Sequence, residues 1–264
     1  MNEPKQNRLR AEWAAFREGA SSLDLQTVTI LLMSAVLMIV QLQFGSRRFF
    51  RRTFGDHVAA GNLELFSWAW WFVVQGVLGF VIPVFILLVL FKRTPRDAGL
   101  GLGDWKLAGG LALAYLPLVI AGTWVLSAGS SFQADYPHLK SAATDWGVFW
   151  TYHLLFLFYW MGWEYLWRGF VLFGTARTFG LYAIIIQTVP FAILHASKPL
   201  AEGLLSVLGG VALGALVWRC RSFWIAVPIH SAQMLILDIF CALRIRSGED
   251  GLGWNAFQAM LDYL

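Results

Sequence analysis

The 264-residue chain reads as an all-α, polytopic bundle of about seven to eight transmembrane helices, and three observations predict this. Its residues are 58% hydrophobic and only 14% charged, an apolar share beyond that of ordinary soluble domains. Long uncharged runs recur along the chain, each long enough to cross a hydrocarbon core of about 30 Å. Many of its 14 tryptophans bracket those runs, where such rings favour the headgroup level.

The elements follow in order. Residues 1–24 are polar and of mixed charge, with Trp13 and Phe16 set among Arg8, Arg10, Arg17, Glu12 and Glu18. This pattern predicts a short amphipathic helix on the membrane surface. The polar lead is too long for a secretory signal, so the apolar run 25–45 is expected to be a retained first span. Residues 25–264 then form one transmembrane domain. Further spans are expected at 66–91, 107–129, 146–163, 180–197, 203–218 and 222–243, with an eighth if 166–179 or the tail 251–264 inserts.

Basic residues set the expected orientation. Lys92, Arg93, Arg96 and Lys106 argue that their loop is cytoplasmic, whereas the loop 130–145 has only Lys140. Alternation then puts Arg47, Arg48, Arg51 and Arg52 outside, against the rule, unless that loop folds back or an early segment does not cross. The majority places the polar site toward the cytoplasm. Multi-pass insertion in a bacterial inner membrane suits the chain. The formal charge of +4 is what an inner-leaflet bias produces, and no nucleic-acid partner is needed.

Cys220 and Cys241 read as free thiols rather than a disulfide framework. The chain has no CxxC pair, phosphate-binding glycine loop, dinucleotide fingerprint or HExxH. No internal repeat supports a transporter built from inverted halves.

Polar groups inside apolar helices carry the functional signal, because a charge at membrane depth costs roughly 2.5–3.5 kcal/mol on insertion scales. Glu164 and Arg168 lie four apart on one helix, acid first, the favourable order for a pair. Mutual neutralisation is the simplest account of these two alone. His195 ends its span beside Lys198 and Pro199, and by itself suits a helix-bridging role. His230 follows Pro228, which loosens the backbone and leaves a polar niche. Asp238, two turns further on the same face, is a buried acid without an evident partner.

Together the three segments point further. His195 lies 31 residues after Glu164, and His230 lies 35 after His195. These intervals put the groups on separate helices able to converge. A carboxylate beside two imidazoles can take a proton from water and stabilise an oxyanion. The same three groups, Glu164, His195 and His230, suit a divalent metal that polarises water. Both routes lead to amide hydrolysis within the bilayer. A proton or metal relay using Glu164, Asp238 and the histidines is an alternative from the transporter class.

The succession of Glu164, Arg168 and Gly169, then Phe191 and His195, then His230 resembles the CPBP family. These are the CAAX-prenyl-endopeptidase and bacteriocin-processing (Abi) intramembrane proteases. The similarity covers about 149–243. It implies a helical bundle around a cavity, an endopeptidase whose water is activated by glutamate and histidine, and either a metal such as zinc or none. It also implies the bilayer as solvent and a hydrophobic or lipid-modified peptide, or a membrane protein, as partner. Catalytic roles fall on Glu164, His195 and His230, with Arg168, Phe191, Gln233 and Asp238 in support.

Two positions depart from the family pattern. Trp163 stands where the family has the first of two adjacent glutamates. Met234 stands where an oxyanion-donating Asn is common, with Gln233 turned by about 100° around the helix. The endopeptidase is the leading expectation, and these losses supply its alternative from a second class of function: a CPBP-fold scaffold or immunity protein without peptidase activity.

Overall fold

Short polar residues start the main helices. In the computed structural model, which describes residues 3–264, the Asp24 carboxylate accepts from the Thr27 amide at the start of α2 (Leu25–Gln43), after α1 (Glu3–Ser21), which is exposed from Arg8 onward. Asp104 caps α6 (Trp105–Ser127) through the Leu107 amide, and Asp145 caps α8 (Trp146–Glu164) through Val148. Each cap satisfies an amide that the helix leaves orphaned.

Between these, α3 (Arg47–Phe54) is a short basic helix, and α4 (Leu63–Gly76) leads through a π-helical turn, Val77–Val81, into α5 (Ile82–Phe85) and a second one, Ile86–Leu90. The loop after α6 carries α7 (Ser130–Asp135). Helix α8 passes through a π-helical segment, Tyr165–Val171, into α9 (Leu172–Phe179). Then come α10 (Tyr182–Ile193), α11 (Leu200–Cys220), α12 (Ala226–Ser247) and α13 (Trp254–Leu261). The fold is all helical, with no strand among the described residues.

Among the described residues, five helical stretches are long and apolar enough to cross a membrane: Leu25–Gln43, Ala60–Leu90, Trp105–Ser127, Leu200–Cys220 and Phe223–Ser247. The expected runs at 146–163 and 180–197 fall outside this set for different reasons. Helix α8 is rich in Trp and Tyr and carries His153 and Glu164, which lower its hydropathy. Helix α10 has only 12 residues and stops before His195. Neither proposed eighth span is separate: 166–179 continues α8, and the eight residues of α13 reach only about 12 Å.

The helices run between two ends of the bundle. At one, Thr27 meets Thr178 at 2.7 Å, and the Asp104 amide donates to the Cys220 carbonyl at 2.9 Å. At the other, Lys198 reaches Asp135 at 3.1 Å, and the His138 ring stacks on Trp68 at 5.6 Å. Lys92 and Arg93, which follow the Leu63–Leu90 stretch, lie at the first end of the bundle, and the Arg47–Arg52 cluster, which precedes it, at the opposite one. The bundle therefore has basic residues at both ends, and Arg47 and Arg51 each pair with Glu64 at 2.5 Å. The charge pattern that puzzled the orientation is a property of the fold.

Helix α8 lies in the interior, packed along α4 and against α12. Phe72 stacks on Phe156 at 4.4 Å, with Tyr152 and Trp160 continuing an aromatic core. The backbones cross at Gly79 and Gly162, where an added Cβ on either would collide with a carbonyl of the other helix. That close approach fixes the depth of α8, and with it Glu164. Cys220 and Cys241 are free and buried.

Candidate active site

Helix α8 and its π-helical continuation place Glu164 and Arg168 one turn apart, both with no exposed surface. Arg168 Nη1 lies 3.1 Å from Glu164 Oε2 and donates to Oε1 at 3.2 Å. The Arg168 Nε and Nη2 groups have no protein partner. The guanidinium carbon also sits 4.0 Å from the Phe191 ring centroid, a cation–π contact strengthened by desolvation.

His230, one turn into α12, brings Nδ1 to 2.5 Å from Glu164 Oε1. A carboxylate only accepts, so Nδ1 carries the proton and holds the ring's orientation. The Trp160 ring packs on the imidazole at 4.2 Å. His195 lies in the turn after α10, where Nδ1 donates to the Phe191 carbonyl at 2.7 Å. Its Nε2 is therefore an acceptor. Phe191 links both histidines, its ring 4.6 Å from His195 and 6.1 Å from His230.

These groups border a cavity of about 490 Å³ walled by α6, α11 and α12 and lined by Arg168, Phe191, His195, His230, Gln233 and Met234 among mainly apolar side chains. A second, more apolar cavity of about 390 Å³ shares Ala112, Tyr115, Ile229 and Gln233 with it. Glu164 is not part of the cavity wall. It lies behind His230 and Arg168 and contacts both.

The other expected residues divide. Trp163 packs against Tyr159, Phe191 and His195, its ring 6.1 Å from the His195 imidazole and its Nε1 without a partner. Gln233 and Met234 both reach the cavity. Asp238 does not: it is fully buried, and His153 Nε2 approaches its carboxylate to 3.2 Å. His153 went unread in the sequence, although it stands 11 residues before Glu164, three turns along the same face. Glu202, in the first turn of α11, also lines the cavity. It is a lone acid seven residues after His195, just ahead of the apolar run 203–218.

Among the described residues no three His, Cys, Asp or Glu side chains stand together as a metal-ion cluster. Glu164 is taken up by Arg168 and by Nδ1 of His230. Glu164, His195 and His230 are not gathered as such a cluster.

Comparison with known families places the motifs in context. Residues 145–236 match the family model described as type II CAAX prenyl endopeptidase Rce1-like. The match opens at the Asp145 cap of α8 and includes Glu164, Arg168, His195 and His230. It bears out the CPBP resemblance over this segment and, with the apolar helices, marks an integral membrane protein related to a peptidase family. No curated protein and no solved structure gives a match.

Proposed function

We propose that this CPBP-type chain is an intramembrane endopeptidase that hydrolyses a membrane-associated peptide with water activated by His230 and His195. One observation carries the reading. Two imidazoles and a guanidinium, drawn from three separate helical segments, border a single apolar-walled cavity, and a buried carboxylate holds one imidazole by Nδ1.

The chemistry follows from the free atoms. With Nδ1 of each histidine engaged, each Nε2 has a lone pair. His230 takes a proton from water through Nε2, while Glu164 stabilises the imidazolium that forms. The water oxygen bonds to the scissile carbonyl carbon, and the free N–H groups of Arg168 meet the oxyanion. Collapse breaks the C–N bond, and the proton on His230 passes to the leaving amine. His195 Nε2 accepts the second water hydrogen and fixes the direction of attack. Glu164 thus acts through His230 rather than on water directly, a change from the role expected of it in the sequence.

The reading includes the setting. Alternation of α2, α4–α5, α6, α8–α9, α10, α11 and α12 between the two ends supports seven crossings. A bacterial inner membrane suits them, with the bilayer and a hydrophobic or lipid-modified peptide as partners.

The test is cleavage of a quenched fluorescent prenyl-peptide and a panel of leader peptides by the purified protein. Loss of cleavage in both His195→Ala and His230→Ala supports the assignment. Retention in either removes that residue from the mechanism. A second reading, a non-catalytic membrane scaffold or immunity protein, is favoured by Trp163, whose indole rather than a carboxylate adjoins His195. It predicts a bound membrane partner and no cleavage by folded wild type.

A further inference from the structure

The cavity that holds His195 and His230 has one acidic side chain in its wall, Glu202. The Tyr136 hydroxyl lies 2.7 and 2.6 Å from its two carboxylate oxygens, and Tyr136 is itself completely buried. That hydroxyl donates one hydrogen bond and brings no charge. The α11 N-terminus adds a partial positive charge and also falls short of neutralising a carboxylate.

Charge accounting around the cavity isolates Glu202. Lys198, the nearby cation, is taken by Asp135 at 3.1 Å and also touches His138 Nε2 at 2.7 Å. Arg168 is balanced by Glu164. Each cavity histidine has Nδ1 committed to an acceptor. Among the described residues, one carboxylate is thus left facing an apolar-walled space with no cation in salt-bridge contact, Lys198 being nearby but paired with Asp135. Glu202 is only partly buried, but the wall around it is mainly apolar, so a cation that enters this space meets a carboxylate less screened than one in bulk water.

We infer that Glu202 is a specificity-determining residue whose end of the cavity is a subsite for a cationic group, the ammonium or guanidinium of a basic residue in the bound peptide. The inference rests on the endopeptidase reading of the same cavity, but binding tests it without requiring turnover. Glu202 precedes the apolar wall residue Leu205 by one turn of α11. A basic residue seated there leaves the neighbouring backbone to run along that wall toward the histidines.

The experiment uses pairs of farnesylated peptides that differ only by Lys or Gln at one position, scanned across the residues before the modified cysteine. Affinity for the full-length protein in detergent is measured by fluorescence anisotropy, with cleavage followed in parallel. At one position the Lys peptide is expected to bind about tenfold more tightly, the worth of one charge-assisted hydrogen bond. Glu202→Gln, which keeps side-chain length and a hydrogen bond to Tyr136, should abolish that difference. Acetylation of the same lysine should abolish it on wild type, so the result does not depend on a variant that folds. Lys peptides that bind no better than Gln peptides at every position, or do not bind, overturn the subsite. Cleavage without a Lys preference leaves the endopeptidase standing and removes the subsite. A Lys preference in binding, with no cleavage of any peptide, does the reverse.

Discussion

Glu164→Gln is the most informative single change, because the structure makes it a test of stability before it is a test of turnover. Glu164 and Arg168 are both without exposed surface, and among the described residues Glu164 is the only acidic side chain in salt-bridge contact with that guanidinium. Two of the guanidinium's nitrogen groups already lack protein partners. Neutralising the acid therefore leaves a buried cation supported by little more than the Phe191 ring. Breaking a buried pair in this way costs about 3–5 kcal/mol. For a domain of this size that is a fall in Tm of about 6–20 °C. The double variant Glu164→Gln/Arg168→Met removes both charges and should recover most of the loss, which a double-mutant cycle reads as coupling. The assay is thermal unfolding of the purified protein in detergent, with cleavage measured well below the lowest midpoint. A Glu164→Gln protein with wild-type Tm would refute the reasoning, since the acid would then not be what holds Arg168.

Three further outcomes follow from other parts of the structure. His195→Ala, at a partly exposed turn after α10, should reduce cleavage by about 100-fold or more while leaving Tm nearly unchanged; a large Tm loss would make the residue structural. Gly162→Ala drives a methyl group into the Gln75 carbonyl of the facing helix and should cost about 1–3 kcal/mol, read as a lower Tm, whereas an unchanged Tm would deny the close backbone crossing. His138, in the loop between α7 and α8, is moved from the usual 6.5 to about 3 by burial, with Lys198 adding to the effect. Because this value is depressed, the unfolded chain binds the proton more readily between those limits. Stability should fall as pH drops from 6.5 toward 3, and His138→Gln should flatten that part of the acid-unfolding curve.

The helices were legible because their signal is one of length and apolarity, which survives without knowledge of neighbours. The first run, 25–45, became Leu25–Gln43, and 107–129 became Trp105–Ser127. The interior helix was harder to classify by hydropathy, because α8 meets other protein and can carry Trp, Tyr and His at its packed surfaces. The motif residues were legible for a related reason: Glu164, Arg168, His195 and His230 are polar groups where apolar ones are cheaper. Their division of labour was not legible. Whether Glu164 faces water or His230 depends on the rotation of α12 against α8, which no local spacing encodes. Asp238 seemed to lack a partner because His153 is 85 residues away in the chain. Glu202 has no sequence signal of its own beyond a lone acid at the edge of a span, since only the packing of α11 against α10 turns it into the cavity.

The cavity's walls bear on how a peptide reaches it. Of the five membrane-length helices, α6 and α11 are the least covered by the rest of the protein, with 11% and 17% of their apolar windows buried against 33–39% for the other three. These two are also walls of the cavity, and between them they present a broad apolar surface. On the endopeptidase reading, a lipid-tethered peptide travelling in the plane of the bilayer would meet this side first. The polar groups lie behind it: Glu202 near the start of α11, the two histidines and Arg168 further in, and Glu164 behind them. On the endopeptidase reading, that order separates three tasks. Glu202 selects charge, His230 with His195 handles the proton, and Glu164 holds the imidazole and the guanidinium in register. The separation has a physical cause. A carboxylate pinned between Arg168 and His230 has its negative charge already engaged, so attraction of an incoming cation falls to the carboxylate that has only a neutral hydroxyl for company.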